Sequence, residues 1–97
     1  MAIDFVISHR AEKDIEEAID YYNEIRNGLG EKFYSEVLDT FTQIYKYNYS
    51  FAVRYNVVHA APTKKFRFLI HYIVTKKTIT ILAVLHTSVN PEKWPSV

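Results

Sequence analysis

Residues 66–86 read FRFLIHYIVTKKTITILAVLH and contain the clearest structural pattern in this protein. On both sides of Lys76 and Lys77, apolar side chains recur at every second position, a period that is typical of β-strands. Two such runs separated by two residues predict a β-hairpin in which Thr75 pairs with Thr78.

The predicted register gives the hairpin two different faces. The first face is apolar throughout and consists of Phe66, Phe68, Ile70, Tyr72, Val74, Ile79, Ile81, Ala83 and Leu85. We expect this face to form the core beneath other elements of the chain. The second face pairs Arg67 with His86, Leu69 with Val84, His71 with Leu82 and Ile73 with Thr80. It is basic at one end and aliphatic along its middle, and we expect it to stay open.

Two amphipathic helices precede the hairpin. A β-branched and aromatic run at residues 3–7 predicts a strand that stops at Ser8, which is a suitable helix N-cap. Apolar residues then recur at steps of three and four as far as Ile25, and Gly28 can end this helix in a left-handed conformation. The second apolar stripe consists of Phe33, Tyr34, Val37, Leu38, Phe41, Ile44 and Tyr45. The short loop between the stripes predicts an antiparallel helical hairpin.

The remaining segment completes the predicted topology. Residues 53–59 predict a strand, and residues 60–63 predict a break because Pro62 has no N–H for a strand ladder. The order βααβββ predicts an α+β fold, with an antiparallel sheet and the N-terminal helical hairpin packed on one face. Ninety-seven residues are enough for one hydrophobic core, so we expect a single domain over residues 1–97.

The composition excludes several classes of protein. The chain is 48% apolar with 2 Gly and 3 Pro, which is too apolar for a disordered or low-complexity sequence. It contains no cysteine, which excludes a disulfide scaffold and a thiol nucleophile and fits a cytoplasmic location. No apolar run approaches the roughly 18 residues of a membrane span, so we expect no membrane role.

Charge is distributed unevenly along the chain. Residues 1–50 contain five Lys or Arg against ten Asp or Glu, a net charge of −5. Residues 51–97 contain seven Lys or Arg against one acid, a net charge of +6. This asymmetry favours contact of the second half with a polyanion or an acidic partner, or else neutralisation of one half by the other within the fold.

The sequence contains none of the standard catalytic motifs. It has no phosphate-binding loop, no dinucleotide fingerprint and no His-Glu-x-x-His. The acids of the first helix, such as Glu12 and Glu16, are interpreted as a solvated face that complements the helix dipole. His71 and His86 share a predicted face but have no carboxylate beside them on the strands, so no metal site and no cofactor are expected.

A basic set is the strongest candidate for chemistry. Its members lie on or before the predicted open face and are Arg54, His59, Lys64, Lys65, Arg67 and His86. Such a set can bind phosphates or an acidic segment of a partner. Cleavage of RNA would need a proton-transfer group and a cation near the phosphate, roles that His86 and Arg67 could fill. Trp94, the only tryptophan, either closes the edge of the core or stacks on a base.

Five segments together carry a family resemblance: residues 11–22, 30–33, 54–55, 64–66 and 84–94. In this order they resemble the RelE/ParE superfamily of toxins from bacterial type II toxin–antitoxin systems, often labelled plasmid stabilisation proteins. The resemblance covers nearly the whole chain, and the βααβββ order agrees with it. It implies a small cytoplasmic toxin that inhibits growth and is neutralised by a cognate antitoxin, in a homodimer or a toxin–antitoxin hetero-oligomer.

The resemblance also implies where a partner would bind. An antitoxin segment would cover the aliphatic strip and neutralise the basic end of the open face. The expected partner-binding or nucleic-acid-binding residues are Arg54, His59, Lys64, Lys65, Arg67, Leu69, His71, Ile73, Leu82, Val84 and Trp94.

The superfamily contains two modes of action. RelE-like members are ribosome-dependent mRNA endoribonucleases, whereas ParE-like members poison DNA gyrase without chemistry of their own. Relatives usually carry an arginine where this chain has Val89, and no tyrosine follows Trp94. These departures favour the ParE-like mode, with gyrase as the target. The alternatives are a RelE-like endoribonuclease with catalytic His86 and Arg67, acting on mRNA at the ribosome, and a degenerate toxin that only binds its antitoxin.

Overall fold

The computed structural model describes residues 3–96. Its elements are β1 (Asp4–Ile7), α1 (His9–Ile25), α2 (Leu29–Tyr47), β2 (Val53–Tyr55), β3 (Val58–Pro62), β4 (Phe68–Thr75) and β5 (Thr78–His86). Both helices precede the last four strands and pack against the sheet, which confirms the predicted α+β class. None of the helices in residues 3–96 is both long and apolar enough to cross a membrane.

The five strands form one mixed sheet in the order β1-β5-β4-β3-β2. Neighbouring strands are antiparallel except β1, which runs parallel to β5 with Phe5 opposite Ile79. The prediction of a purely antiparallel sheet was therefore wrong. No tight turn joins β1 to β5, so the local sequence around β1 does not determine its direction in the sheet.

The predicted strand at residues 53–59 is in fact a second hairpin. Asn56 adopts a left-handed φ of 48° between β2 and β3, a conformation that asparagine tolerates better than most residues. The predicted break at residues 60–63 was also wrong, because β3 continues to Pro62. Pro62 occupies the final position of that strand, where a missing N–H costs little. The element order thus has one strand more than predicted.

The helical hairpin was predicted correctly. Ser8 caps α1 by accepting the backbone N–H of Ala11 at 3.1 Å, and Gly28 takes a left-handed φ of 88° in the loop. The helices approach closely at Gly30, where a Cβ would lie 2.5 Å from the carbonyl oxygen of Ile19. Only glycine fits there without moving the backbone of α1.

The core lies between the helical hairpin and the sheet. Its helical side is formed by Ala11, Ile15, Phe33, Val37, Phe41 and Ile44, and its sheet side includes Phe68, Ile70, Tyr72, Ile79, Ile81 and Val84. Phe33 is completely buried and contacts Phe66 and Phe68 at ring-centroid distances of 5.5 and 4.7 Å. The predicted apolar stripes of the helices therefore meet part of the predicted apolar face of the sheet, namely Phe68, Ile70, Tyr72, Ile79 and Ile81.

The predicted hairpin register holds only near the turn. Thr75 pairs with Thr78 and Ile73 with Thr80, as expected, but a bulge follows at Leu82. Beyond it the observed pairs are His71 with Ala83, Ile70 with Val84, Leu69 with Leu85 and Phe68 with His86. The predicted pairs Arg67–His86, Leu69–Val84 and His71–Leu82 were therefore wrong. Because one residue is added, Val84 and His86 turn towards the helices.

The start of the chain stabilises this bulge. The hydroxyl of Ser8 donates to the carbonyl oxygen of Leu82 at 3.1 Å, and a carboxylate oxygen of Asp14 accepts the N–H of Val84 at 3.0 Å. Both polar groups belong to strand residues at the register change. Side chains of the first helix and its cap thus satisfy groups that the regular ladder leaves unpaired.

Candidate functional site

Arg67 was predicted to lie in the sheet but lies outside it. It precedes β4 with a left-handed φ of 58°, and its carbonyl oxygen accepts the N–H of Thr87 at 2.9 Å. Its side chain is exposed, but the residue paired with His86 is Phe68. The cross-strand pair on which the nuclease hypothesis depended is therefore absent from the hairpin.

His86 lies on the helical side of the sheet. Its ring packs edge-on against Phe68 at 5.3 Å, and its Nδ1 accepts the N–H of Ser88 at 3.1 Å, with the Ser88 hydroxyl at 2.8 Å. Together with Glu17 and Tyr21 it lines a cavity of about 490 Å³. The lining of this cavity is aromatic and acidic, which is unsuited to stabilising a phosphate undergoing attack. A catalytic role of His86 and Arg67 stays a prediction.

Lys64 and Lys65 lie beside α2. Glu36 accepts the backbone N–H groups of Lys65 and Phe66 and holds this loop against the helix. Both lysine side chains are exposed, and they line a cavity of about 570 Å³ that Arg26 also lines. They therefore extend a charged surface of the helical hairpin.

Arg54 and His59 lie on neighbouring strands, β2 and β3, in different environments. His59 stacks on Tyr72, a core residue, at 4.9 Å and 13°, and its Nδ1 donates to the carbonyl oxygen of Phe51 at 2.6 Å. Arg54 is exposed and lies close enough to His71 to affect its ionisation. The basic residues do not form the single cationic end that the sequence predicted.

The predicted aliphatic strip is not an open surface. Leu69 is 8% exposed, His71 0% and Val84 1%, while Ile73 and Leu82 are half-buried. Val84 is covered by the helices because of the bulge. His71 lies on the other side of the sheet and is covered by residues 90–96, which we call the strap. The expectation that Leu69, His71 and Val84 lie on an open face was therefore wrong. A role of these residues in partner binding stays a prediction.

The strap holds His71 within a polar and aromatic cluster. The Tyr55 hydroxyl donates to the carbonyl oxygen of Pro95 at 3.1 Å and lies 3.2 Å from Nδ1 of His71. The ring of Trp94 lies 5.2 Å from the rings of both Tyr55 and His71. The Arg10 guanidinium donates to the carbonyl oxygen of Lys93 at 2.8 Å. Trp94 thus packs within its own chain, in line with the interpretation that it closes an edge of the fold.

The environment of His71 keeps its imidazole neutral. Burial, followed by the positive charges of Arg10 and Arg54, lowers its pKa from 6.5 to about 4. Because the single proton of the Tyr55 hydroxyl goes to Pro95, that hydroxyl accepts from Nδ1–H of His71. Nε2 of His71 then carries the lone pair and has no hydrogen-bond partner among residues 3–96.

An apolar depression lies elsewhere and was not predicted from the sequence. Two adjoining cavities of about 300 and 330 Å³ share Ile7, Leu38 and Phe41, and together we call them the helix groove. Its walls are completed by Phe5, Ile15, Ile19, Tyr34 and Tyr45, with Glu12 and Glu16 at its rim. Leu38 is 43% exposed and Tyr45 46% exposed. The signal was Tyr34 and Leu38, which widen the stripe of α2 beyond what the sheet covers.

The helix groove runs beside an edge of the sheet. β1 is an edge strand beside β5. The N–H of Asp4 donates to the carbonyl oxygen of Lys77 in the turn before β5, and the N–H of Ser8 donates to that of Ile81 on β5. By alternation, the backbone groups of Phe5 and Ile7 point to the free edge. The described part of the chain has no group of three or more His, Asp or Glu residues placed to bind a metal ion.

Comparison with known proteins places this architecture in a family. Residues 5–91 match the family model described as the ParE toxin of the type II toxin–antitoxin system parDE. The fold is similar to a solved structure titled as the chromosomal ParDE TA system from P. aeruginosa, with a TM-score of 0.78 and 15% identity over 87% of this chain and 95% of that one. A search of curated proteins finds no match. Since the family model spans most of its length, this chain belongs to the ParE toxin family of type II toxin–antitoxin systems.

Proposed function

We propose that this protein is a cytoplasmic toxin that stops growth by binding DNA gyrase, and that an antitoxin neutralises it by occupying the helix groove. Membership of the ParE family supports the toxin role, and the fold shared with a ParDE system supports an antitoxin partner. The proposed mode of antitoxin binding rests on the helix groove, an apolar channel lined by half-exposed Leu38.

The chemistry of the groove defines the antitoxin segment that fits it. Its floor is formed by aliphatic and aromatic side chains, so the segment must present apolar residues along one side. Glu12 and Glu16 at the rim on α1 favour Lys or Arg on the flank of the segment. An amphipathic helix with apolar anchors three and four residues apart meets both requirements.

The distribution of polar residues supports action by binding. Arg67 is not paired with His86, and the charged residue that lines the same cavity as His86 is Glu17. His71 is buried beneath the strap. Hydrolysis of RNA would need a cation and a proton-transfer group at one exposed place.

Expression of the chain with and without its antitoxin tests the proposal. The chain alone should stop growth, and co-expression of the antitoxin should restore it. DNA breaks held by gyrase in the arrested cells support the proposed target. Messenger RNA cut within ribosomes would contradict gyrase as the target and favour the endoribonuclease alternative. Unaffected growth would indicate a degenerate toxin. A short neighbouring reading frame with a DNA-binding half and a charged amphipathic tail is the expected source of the antitoxin.

A further inference from the structure

The strap contacts the rest of the protein through backbone carbonyl oxygens and one aromatic ring. Its polar contacts beneath Trp94 are two carbonyl oxygens, of Lys93 and Pro95, which accept from Arg10 and Tyr55. Between these acceptors the indole of Trp94 packs against the rings of Tyr55 and His71. The strap thus presents one planar ring flanked by two oxygen acceptors.

The surface beneath the strap is rich in donors and positive charge. The guanidinium of Arg10 and the hydroxyl of Tyr55 already donate to oxygen atoms. Arg54 is exposed and directly precedes Tyr55 on β2, and its positive charge acts on His71. Nε2 of fully buried His71 is an acceptor without a partner in residues 3–96. An unpaired polar atom at such a place costs free energy, and a ligand with a suitable donor would remove that cost.

We propose that Arg10, Arg54, Tyr55 and His71 form a binding site for a nucleotide, free or within a single strand, which the strap occupies in its closed state. The base would take the position of the Trp94 indole, and phosphate oxygens would replace the strap carbonyls. Stacking of a base on aromatic rings and donation from guanidinium to phosphate are the two interactions by which such sites bind single strands. This activity is additional to the proposed binding of gyrase.

Competition between the strap and the nucleotide makes the affinity for the nucleotide depend on the stability of the closed strap. Because the strap must leave before a nucleotide enters, the apparent Kd equals the Kd of the open site divided by the fraction of molecules that are open. The strap contains the 3₁₀ turn Pro91–Lys93, capped by Asn90, whose side-chain oxygen accepts the N–H of Glu92 at 3.0 Å. The side-chain hydrogen bond of Asn90 lies within the strap, so its replacement should loosen the strap and leave the four residues of the site unchanged.

The test is a titration of the full chain with a fluorescein-labelled single-stranded RNA of ten nucleotides, read by anisotropy. Asn90→Ala should bind about three- to tenfold more tightly than the unmodified chain, since loss of a cap destabilises the turn. Trp94→Ala should act in the same direction. Arg54→Gln should weaken binding about fivefold, because it removes a cation for which residues 3–96 show no hydrogen bond to the strap. Arg26→Gln removes an exposed cation outside the site and should leave binding unchanged.

Two further measurements complete the design. Trp94 is the only tryptophan, so its emission in the unmodified chain should shift to longer wavelength when RNA displaces the strap. Competition by 5′-AMP would identify a free nucleotide as sufficient, whereas competition by unlabelled RNA alone would identify a strand. Circular dichroism confirms that each variant is folded. The proposal is overturned if Asn90→Ala and Trp94→Ala do not tighten binding, if Arg54→Gln matches Arg26→Gln, or if polyphosphate competes as well as RNA without changing Trp94 emission.

Discussion

The carboxylate of Asp14 on α1 accepts the backbone N–H of Val84 on β5 at 3.0 Å, beside the bulge at Leu82. This bond joins residues 70 positions apart in the sequence, at the place where the hairpin changes register. The bond stabilises the bulge that turns Val84 into the core. Because of the same bulge, Arg67 and His86 are not paired as they would be in a regular hairpin. The pKa of Asp14 is raised above 3.8, chiefly because burial disfavours its charge.

Replacement of Asp14 should separate its hydrogen bond from its charge. Asp14→Ala leaves the N–H of Val84 without a partner and should lower the free energy of unfolding by about 1–3 kcal/mol at pH 7. Asp14→Asn keeps an acceptor oxygen and should cost much less. Urea denaturation of the two variants measures the difference. Equal losses would show that the hydrogen bond is not what stabilises the bulge.

The same pair of variants carries a prediction about pH. The pKa of Asp14 is higher in the folded chain than in the unfolded chain, so binding of its proton stabilises the fold. This contribution to the free energy of unfolding is complete below pH 3.8 and is lost as the pH rises through the folded pKa. Asp14→Asn removes this contribution, so its stability relative to the unmodified chain should improve with rising pH in that range. A constant difference from acid to neutral pH would contradict this interpretation.

His71 should make the fold sensitive to acid in the opposite direction. Its pKa is lowered to about 4 in the folded chain, so the unfolded chain binds the additional proton between that value and 6.5. Stability from this residue is complete above pH 6.5 and should decline by up to about 3 kcal/mol as the pH falls to the folded pKa. His71→Phe, which keeps a ring against Trp94, should flatten this decline in urea denaturation series. His9→Gln, at an exposed position, is the control and should retain it.

The groove hypothesis predicts a matched pair of effects on antitoxin binding. Tyr34 lines the helix groove, whereas Tyr49 is 84% exposed and does not line it. Tyr34→Asp replaces an aromatic wall of the groove by a charged group that apolar anchors would desolvate, and it should weaken antitoxin binding at least about tenfold in calorimetry. Tyr49→Asp should have little effect. If both variants bind the antitoxin equally well, the antitoxin docks elsewhere.

The binding account makes a further prediction about the two residues once considered catalytic. His86 packs on Phe68, and Arg67 is not its strand partner, so the proposed action by binding assigns neither residue a role in catalysis. His86→Ala and Arg67→Gln should therefore leave growth arrest unchanged when expressed without antitoxin. Loss of arrest in both variants, with normal protein levels, would favour the endoribonuclease alternative.

Sequence patterns predicted those parts of the fold that depend on neighbouring residues. The helical stripes, the Ser8 cap and the turn between Thr75 and Thr78 follow from local spacing, and all are present. The parallel pairing of β1 and the bulge depend on contacts between the two ends of the chain. Nothing near Leu82 signals that Ser8 and Asp14 will supply its missing hydrogen bonds.

The candidate site was predicted less well for the same reason. The face that holds His71 looked open because its cover, Trp94 and Pro95, lies beyond the hairpin and adopts no regular strand. The helix groove was not recognised because a wide apolar stripe on α2 is compatible with either a larger core or an exposed channel. Only the packing of β1 beside Leu38 decides between them.

The most direct test of the central claim uses purified gyrase, plasmid DNA, ATP and the purified chain. We predict that the chain stops supercoiling and causes cleaved plasmid to accumulate in complexes with gyrase, and that the antitoxin reverses both effects. Normal supercoiling without cleaved plasmid, from a preparation that still arrests growth in cells, would contradict the account.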